Sequence, residues 1–360
     1  MPRWVKRRSL KVLAPATAVT LLMTLPSGCY VTRQALVFND MYNSRRSIDE
    51  VLADAATPSD VKANLVIVRG VMTFAKRQGL NVETAYRYYI NNRDTGVSYV
   101  VQAAPADNLT FLTWWFPFVG SVPYLGYFDK SERDAKAAEL KADGKDVHTG
   151  TVGAFSSLGW FEDPIYASML GTSEHDVVHL FLHELTHRSF WSRGSVTMNE
   201  NLAEYVAYYL TVKYLEEKKR TDDLKKYRAE QSDKVVYRDW LEKLKKELEV
   251  LYGNSAALER GPLLAKKKEI FSRYLGPDKP RFTSSRYEYV AKREWNNATV
   301  LAAGLYAPDM ARFERAHRCT GFAKIGDFLA RLKVAEEAQP DAFSALDSLC
   351  SPAGGPPNVD

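Results

Sequence analysis

The chain has 360 residues, 46% hydrophobic and 26% charged, enough to bury a large core in one elaborated domain or two close-packed ones. Its net charge of +5 comes from the first 28 residues, which carry five of the 49 basic residues and none of the 44 acidic ones. The remainder is balanced, and that excludes an electrostatic case for nucleic acid as a partner.

Residues 1–28 read as a signal peptide rather than as part of the fold. Arg3, Lys6, Arg7, Arg8 and Lys11 form a basic head, and Val12 to Leu25 is an apolar run too short to span comfortably as a mature transmembrane helix. Ser27-Gly28-Cys29 looks like a bacterial lipobox, with cleavage before Cys29 and acylation of its sulfur and its new amino group. The expected location is the bacterial cell envelope, lipid-anchored through Cys29 in the outer membrane and facing the periplasm. Several acyl chains on one residue hold firmly, at about 0.8 kcal/mol per buried methylene.

Residues 30–92 read mainly as helix, with Ile48, Val51 and Leu52 and then Leu65, Val68 and Val71 as core positions. Residues 97–103 and 110–116 read as strands, Lys130 to Asp143 as an amphipathic helix closed by Gly144, and Val147 to Phe155 as a returning strand. Trp114-Trp115-Phe116 reads as core. Ser173 is a candidate N-cap for the next helix, with Glu174 and Asp176 in its first turn, where acids oppose the dipole.

That helix carries His183-Glu184-Leu185-Thr186-His187, an H-E-x-x-H run. Residues four apart share a helix face, so His183 and His187 can present ring nitrogens to one metal ion, with Glu184 beside them. Zinc favours four ligands in a tetrahedron and tolerates an open position, where it lowers the pKa of a water to about 7. Glu184 would then act as general base and pass the proton to a leaving amine. His175 and His179 continue the four-residue spacing but lack the adjacent Glu, and are read as surface residues or as outer partners of the site.

Twelve residues beyond His187 comes Asn199-Glu200-Asn201-Leu202-Ala203-Glu204, opening a helix that runs to Lys213. Glu200 and Glu204 lie one turn apart on one face. Glu200 is the expected third metal ligand, and Glu204 the carboxylate that takes the far nitrogen of His183.

Residues 213–275 are charge-rich and helical, with Trp240, Leu241, Leu244, Leu248 and Leu251 as an apolar stripe and a break at Tyr252-Gly253-Asn254. They predict an antiparallel helical hairpin projecting from the core, a possible surface for a protein partner. Residues 276–350 form a further helical region, and 351–360 a disordered tail. Cys319 and Cys350 are placed to bridge in an oxidising envelope, without any spacing that demands it.

H-E-x-x-H followed by this N-E-x-x-A-E run resembles the gluzincin branch of zinc peptidases. More specifically, the chain resembles a bacterial family of predicted aminopeptidases, often lipoproteins. The matching segments are Arg45 to Leu52, Phe116-Pro117 with Val122-Pro123-Tyr124 and Gly126-Tyr127-Phe128, Phe155 to Pro164, the metal motif, and Asn296-Asn297-Ala298. The resemblance implies an α+β, mostly helical fold with a zincin-like core, a small mixed sheet and the long hairpin. Residues 29–212 and 276–350 would together make the catalytic domain. It also implies that peptide substrate pairs with an edge strand, here Gly153-Ala154-Phe155-Ser156. Asn296 and Asn297 are candidate substrate contacts, or simply caps of neighbouring elements. Tyr306 is the favoured donor to the oxyanion, with His317 as the other choice. Glu162 and Asp163 are candidates to hold a substrate's free amine, although Glu-Asp-Pro is also an ordinary turn.

The sequence thus supports an envelope-anchored zinc peptidase, an aminopeptidase by resemblance. The competing reading is a non-enzymatic envelope scaffold with a structural zinc site, which would require a fourth protein ligand.

Overall fold

The computed structural model describes residues 39, 41–92, 98–116, 120–152, 162–171, 173–193, 195–254, 259–304 and 310–351. In chain order these form β1 (Arg46–Ser47), α1 (Ile48–Ala53), α2 (Ser59–Arg77), β2 (Tyr88–Ile90), β3 (Ser98–Pro105), β4 (Trp114–Phe116), β5 (Gly120–Val122), β6 (Leu125–Tyr127), α3 (Lys130–Ala142), β7 (Lys145–Val152) and β8 (Ile165–Tyr166). The helical half follows: α4 (Glu174–Ser189), α5 (Val196–Glu217), α6 (Thr221–Gly253), α7 (Arg260–Leu275), α8 (Asn297–Gly304), α9 (Met310–Thr320), α10 (Ile325–Glu337) and α11 (Ala342–Ser348). The chain is mostly helical with small mixed sheets, consistent with the expected α+β class.

The principal core lies where α2, α4 and α5 meet. Leu65, Val68, Val71 and Phe74 of α2 pack against Val178, Phe181 and Leu182 of α4 and Val206, Leu210 and Tyr214 of α5, all buried. The C-terminal helices close it with Phe313, Phe328, Leu332 and Leu346. Close approach is needed where α2 ends: Gly326 Cα meets the Gly79 backbone, and a side-chain carbon at Gly326 would sit 2.6 Å from the Gly79 carbonyl oxygen. Gly79 itself has φ +84°, a conformation open to glycine at no steric cost.

A second layer holds the sheet β6-β3-β7, fully antiparallel, with Val101, Ala103, Val147 and Leu125 packed on Ala137 and Leu140 of α3. Asp129 caps α3 by accepting from the Ser131 N–H. The expected strands at 97–103 and 147–155 are present over their described residues as β3 and β7, whereas the strand expected over 110–116 is confined to β4. A second sheet, β1-β2-β8, crosses residues that the hydrophobic pattern assigns to helix and lies beside α4.

Two expectations change. The boundary at 213 falls inside α5, which runs on to Glu217. The α6–α7 pair does not stand free of the core. Tyr227 of α6 is buried in the principal core, and Tyr237, Trp240, Leu244 and Leu248 join Trp295 and Val300 in a separate cluster. The stripe read from sequence is real, but it is covered by this protein's own residues. Cys319 and Cys350 are bonded, with Cα atoms 5.1 Å apart, tying α9 to the end of α11.

Candidate metal centre

Two helix ends set the site. Ser173 caps α4, its side chain accepting from the Asp176 N–H. Ser195 caps α5 in the same way through Met198. Between them, Asn199 is buried and bonds the Ser192 backbone in both directions, accepting at 2.7 Å and donating at 2.8 Å. This staple fixes the connection so that the residue after it, Glu200, faces back toward α4. The small side chains of Ala203 and Ala207, fully buried, allow the helices to approach closely.

The result brings the three predicted ligands together. His183 Nε2 and His187 Nε2 are 3.2 Å apart. Glu200 Oε2 is 3.4 Å from His183 Nε2, and Glu200 Oε1 is 3.6 Å from His187 Nε2. Donor atoms about 2.0–2.1 Å from a tetrahedral zinc lie about 3.3 Å from one another, so these separations match the edges of such a shell. His187 Nδ1 is buried with no hydrogen-bond partner among the described residues.

The charges are arranged for a cation. Burial opposes the charge on His183, but the hydrogen bond to Glu200 and the fields of Glu184, Glu204 and Glu200 outweigh it and raise its pKa. Burial and the neighbouring His183 push His187 down to about 4. Burial raises Glu200, yet both imidazoles hold it below the usual carboxylate range. Glu184 is pushed up to about 7, chiefly by burial and then by Glu200 and Asp163 against the opposing field of His183. A carboxyl tuned near neutrality suits a residue that must take and return a proton.

Two further groups of His, Asp and Glu are compact enough to hold an ion: His179 with His183 and Glu204, and His175 with Asp176 and Glu230. Each already contains a cation of the protein's own. Lys234 Nζ lies 2.5 Å from Glu204 Oε1. Arg286 lies 2.6 Å from Asp176 and 3.1 Å from Glu230. Among the described residues no lysine or arginine pairs with Glu200, so of the three groups His183–His187–Glu200 is the one that holds no such cation.

Residues 29–342 match the family model described as "Putative aminopeptidase". The chain belongs to that family. No curated protein and no solved structure matches it. Membership in this aminopeptidase family supports a hydrolase acting on peptides, and the His/Glu groups give it places where a metal ion could bind.

The remaining candidates of this family member fall in different places. Glu204 stands 3.9 Å from His183 Nδ1 and is shared with His179 Nε2 at 3.3 Å and with Lys234. Burial raises Glu204, but His179 and Lys234 hold it well below the usual carboxylate range. His179 is held from its other side by the Tyr227 hydroxyl at 2.7 Å. His179 is therefore an outer partner, whereas His175 is buried between Asp223 and Glu230 and not at the surface.

Asn296 and Asn297 are committed internally. Asn296 donates to the Val147 carbonyl and accepts from the Thr299 N–H. Asn297, 0% exposed, donates to the Pro105 and Asn108 carbonyls and accepts from the Tyr252 hydroxyl. They join α8 to the sheet, and their polar groups are spent there rather than on substrate. His317 is bonded to Tyr205 and the Phe322 carbonyl inside the C-terminal core, away from the metal-capable groups. Asp163 is buried and paired with Arg188 at 2.5 Å, so it offers no free carboxylate to a substrate amine. Gly153, Ala154, Phe155, Ser156, Tyr306 and Cys29 lie outside the described residues. The strand leading to 153, β7, is an edge strand of its sheet among the described residues.

Sequence reading missed Lys234 and Tyr227, which reach the site from α6, and Tyr124. The Tyr124 phenol, in the turn between β5 and β6, has its pKa raised by partial burial and by the field of Glu200. Tyr124 was visible only as part of a matching segment, with no role attached.

Proposed function

We propose that the protein is a zinc-dependent aminopeptidase anchored to the bacterial envelope through a lipidated Cys29. The observation that carries this reading is the His183–His187–Glu200 group, with donor atoms at the spacing of a tetrahedral shell and, among the described residues, no lysine or arginine paired with it. Zinc bound there would polarise a water and the scissile carbonyl. Glu184 accepts the proton of the attacking water and delivers it to the departing amine. Glu204 stands 3.9 Å from His183 Nδ1, where its charge favours a proton on that nitrogen and leaves Nε2 as the ligand. Burial of Leu182, Leu185 and Leu202 beneath the donors keeps them rigid.

The described residues supply three protein ligands rather than four, which favours an open catalytic position over a closed structural one. Aminopeptidase specificity is supported by the family. The envelope location is supported by the basic head, the short apolar run and Ser27-Gly28-Cys29, and by a family match that begins at Cys29. No described helix is long and apolar enough to cross a membrane.

The test compares free and N-blocked peptides as substrates of the purified, zinc-loaded mature chain. Cleavage of the free peptides alone, lost in Glu184→Gln with zinc retained, is the expected result. Zinc-replete protein that cleaves neither set contradicts the reading.

A further inference from the structure

The segment Glu83 to Tyr86 has a conformation that its residues do not favour. Thr84 has φ 60° and Tyr86 φ 57°, the left-handed region that costs a non-glycine residue stability and persists only where the surroundings enforce it. The surroundings do enforce it. Arg188, the residue after His187, donates to the Glu83 carbonyl at 2.6 Å and to Thr84 Oγ1 at 3.2 Å. Arg188 is itself held by Asp163, whose backbone carbonyl accepts from the Tyr86 N–H at 2.7 Å. A buried ion pair thus clamps this segment against α4 beside the metal motif.

The clamp delivers one side chain. The Tyr86 ring packs edge-on to Phe181, with centroids 4.7 Å apart and planes at 81°. Phe181 lies three residues before Glu184 and shares its helix face. Tyr86 is 2% exposed, and its hydroxyl is buried without a hydrogen-bond partner among the described residues. A phenylalanine would make the same ring contact without leaving a polar atom unsatisfied.

We propose that Tyr86 is the positioning residue for Glu184: its hydroxyl donates toward the Glu184 carboxylate through one water and keeps that carboxylate aimed at the metal position. The proposal rests on the reading of Glu184 as general base. Burial, and next the field of Glu184, raise the Tyr86 pKa well above that of an ordinary phenol. The phenol therefore stays protonated, and toward a carboxylate it can only donate. Among the described residues no side chain hydrogen-bonds the Glu184 carboxylate, whereas His183 has Glu200 at 3.4 Å and Glu204 at 3.9 Å.

The experiment is Tyr86→Phe in the mature, zinc-loaded chain, with two readouts. The first is steady-state peptide hydrolysis. Loss of one hydrogen bond to a charged group predicts a kcat about 10–100-fold lower, with KM and zinc stoichiometry unchanged and Tm equal to or above wild type. The second is independent of turnover. The infrared carboxylate band of Glu184 at alkaline pH, identified as the one that disappears in Glu184→Gln, is expected to move in Tyr86→Phe. An unmoved band together with an unchanged kcat overturns the proposal. A moved band in a chain whose wild type cleaves no peptide leaves the positioning role standing and defeats the peptidase reading instead.

Discussion

Two carboxylate–histidine groups lie one helical turn apart on the same pair of helices. His183, His187 and Glu200 form one, and His179, His183 and Glu204 form the other. They share ligand types, burial and even one imidazole. The difference comes from a third helix: Lys234 of α6 places its ammonium 2.5 Å from Glu204, and among the described residues no lysine or arginine reaches Glu200. Ligand chemistry alone does not decide where a metal goes. The group that a lysine already neutralises acts as an orienting network, and the one left uncompensated by any lysine or arginine among the described residues is the candidate metal centre.

The largest expected effect tests the function of the uncompensated group. Glu184→Gln is expected to lower kcat for peptide hydrolysis by about 10²–10⁴-fold while zinc content, measured by elemental mass spectrometry, stays at one per chain. The next breaks the contrast itself. Lys234→Met removes the resident cation, leaving Glu204 buried against His179 and His183. The metal-free protein is expected to lose about 2 kcal/mol in denaturant unfolding, less than the cost of stranding a fully buried charge because Lys234 keeps some solvent contact. A second, weaker zinc equivalent should then appear in titration calorimetry. Unchanged stability and stoichiometry would mean that Lys234 does not set the difference between the groups.

The last effect, confined to acid pH, uses a histidine in the opposite setting. His148 is surrounded by cations, and burial, Arg293 and Arg133 push its pKa down to about 4 from 6.5. The unfolded chain then takes up the proton first, so stability is full above pH 6.5 and is lost as pH falls toward about 4. His148→Gln should flatten that part of the stability–pH curve, and an identical curve in wild type and variant would remove His148 from the account.

Much of the candidate centre was legible because its signal is local. H-E-x-x-H places two imidazoles by helix period alone, and Glu200 follows on the next helix within one short connection, which Asn199 staples. Lys234 and Tyr227 were illegible because nothing local distinguishes them from other charged and aromatic residues of α6; only tertiary packing brings them to Glu204 and His179. Tyr86 was illegible for another reason. Positive φ is ordinarily signalled by Gly or Asn, and here Thr84 and Tyr86 adopt it under a clamp formed by residues some 80 and 100 positions away. Asn296 and Asn297 stood out as a motif with its role open between substrate and structure, since a buried amide that joins elements reads in sequence like one that meets a ligand. The strands of two or three residues, β1, β2 and β8, are too short to show alternation.

The proposed hydrolysis requires a single zinc ion held by His183, His187 and Glu200. Zinc titration of the metal-free mature chain, with Glu200→Ala in parallel, addresses it. The prediction is one tight equivalent in the wild type that is lost in Glu200→Ala. Tight stoichiometric zinc that survives Glu200→Ala, or a wild type that takes up none, would contradict it.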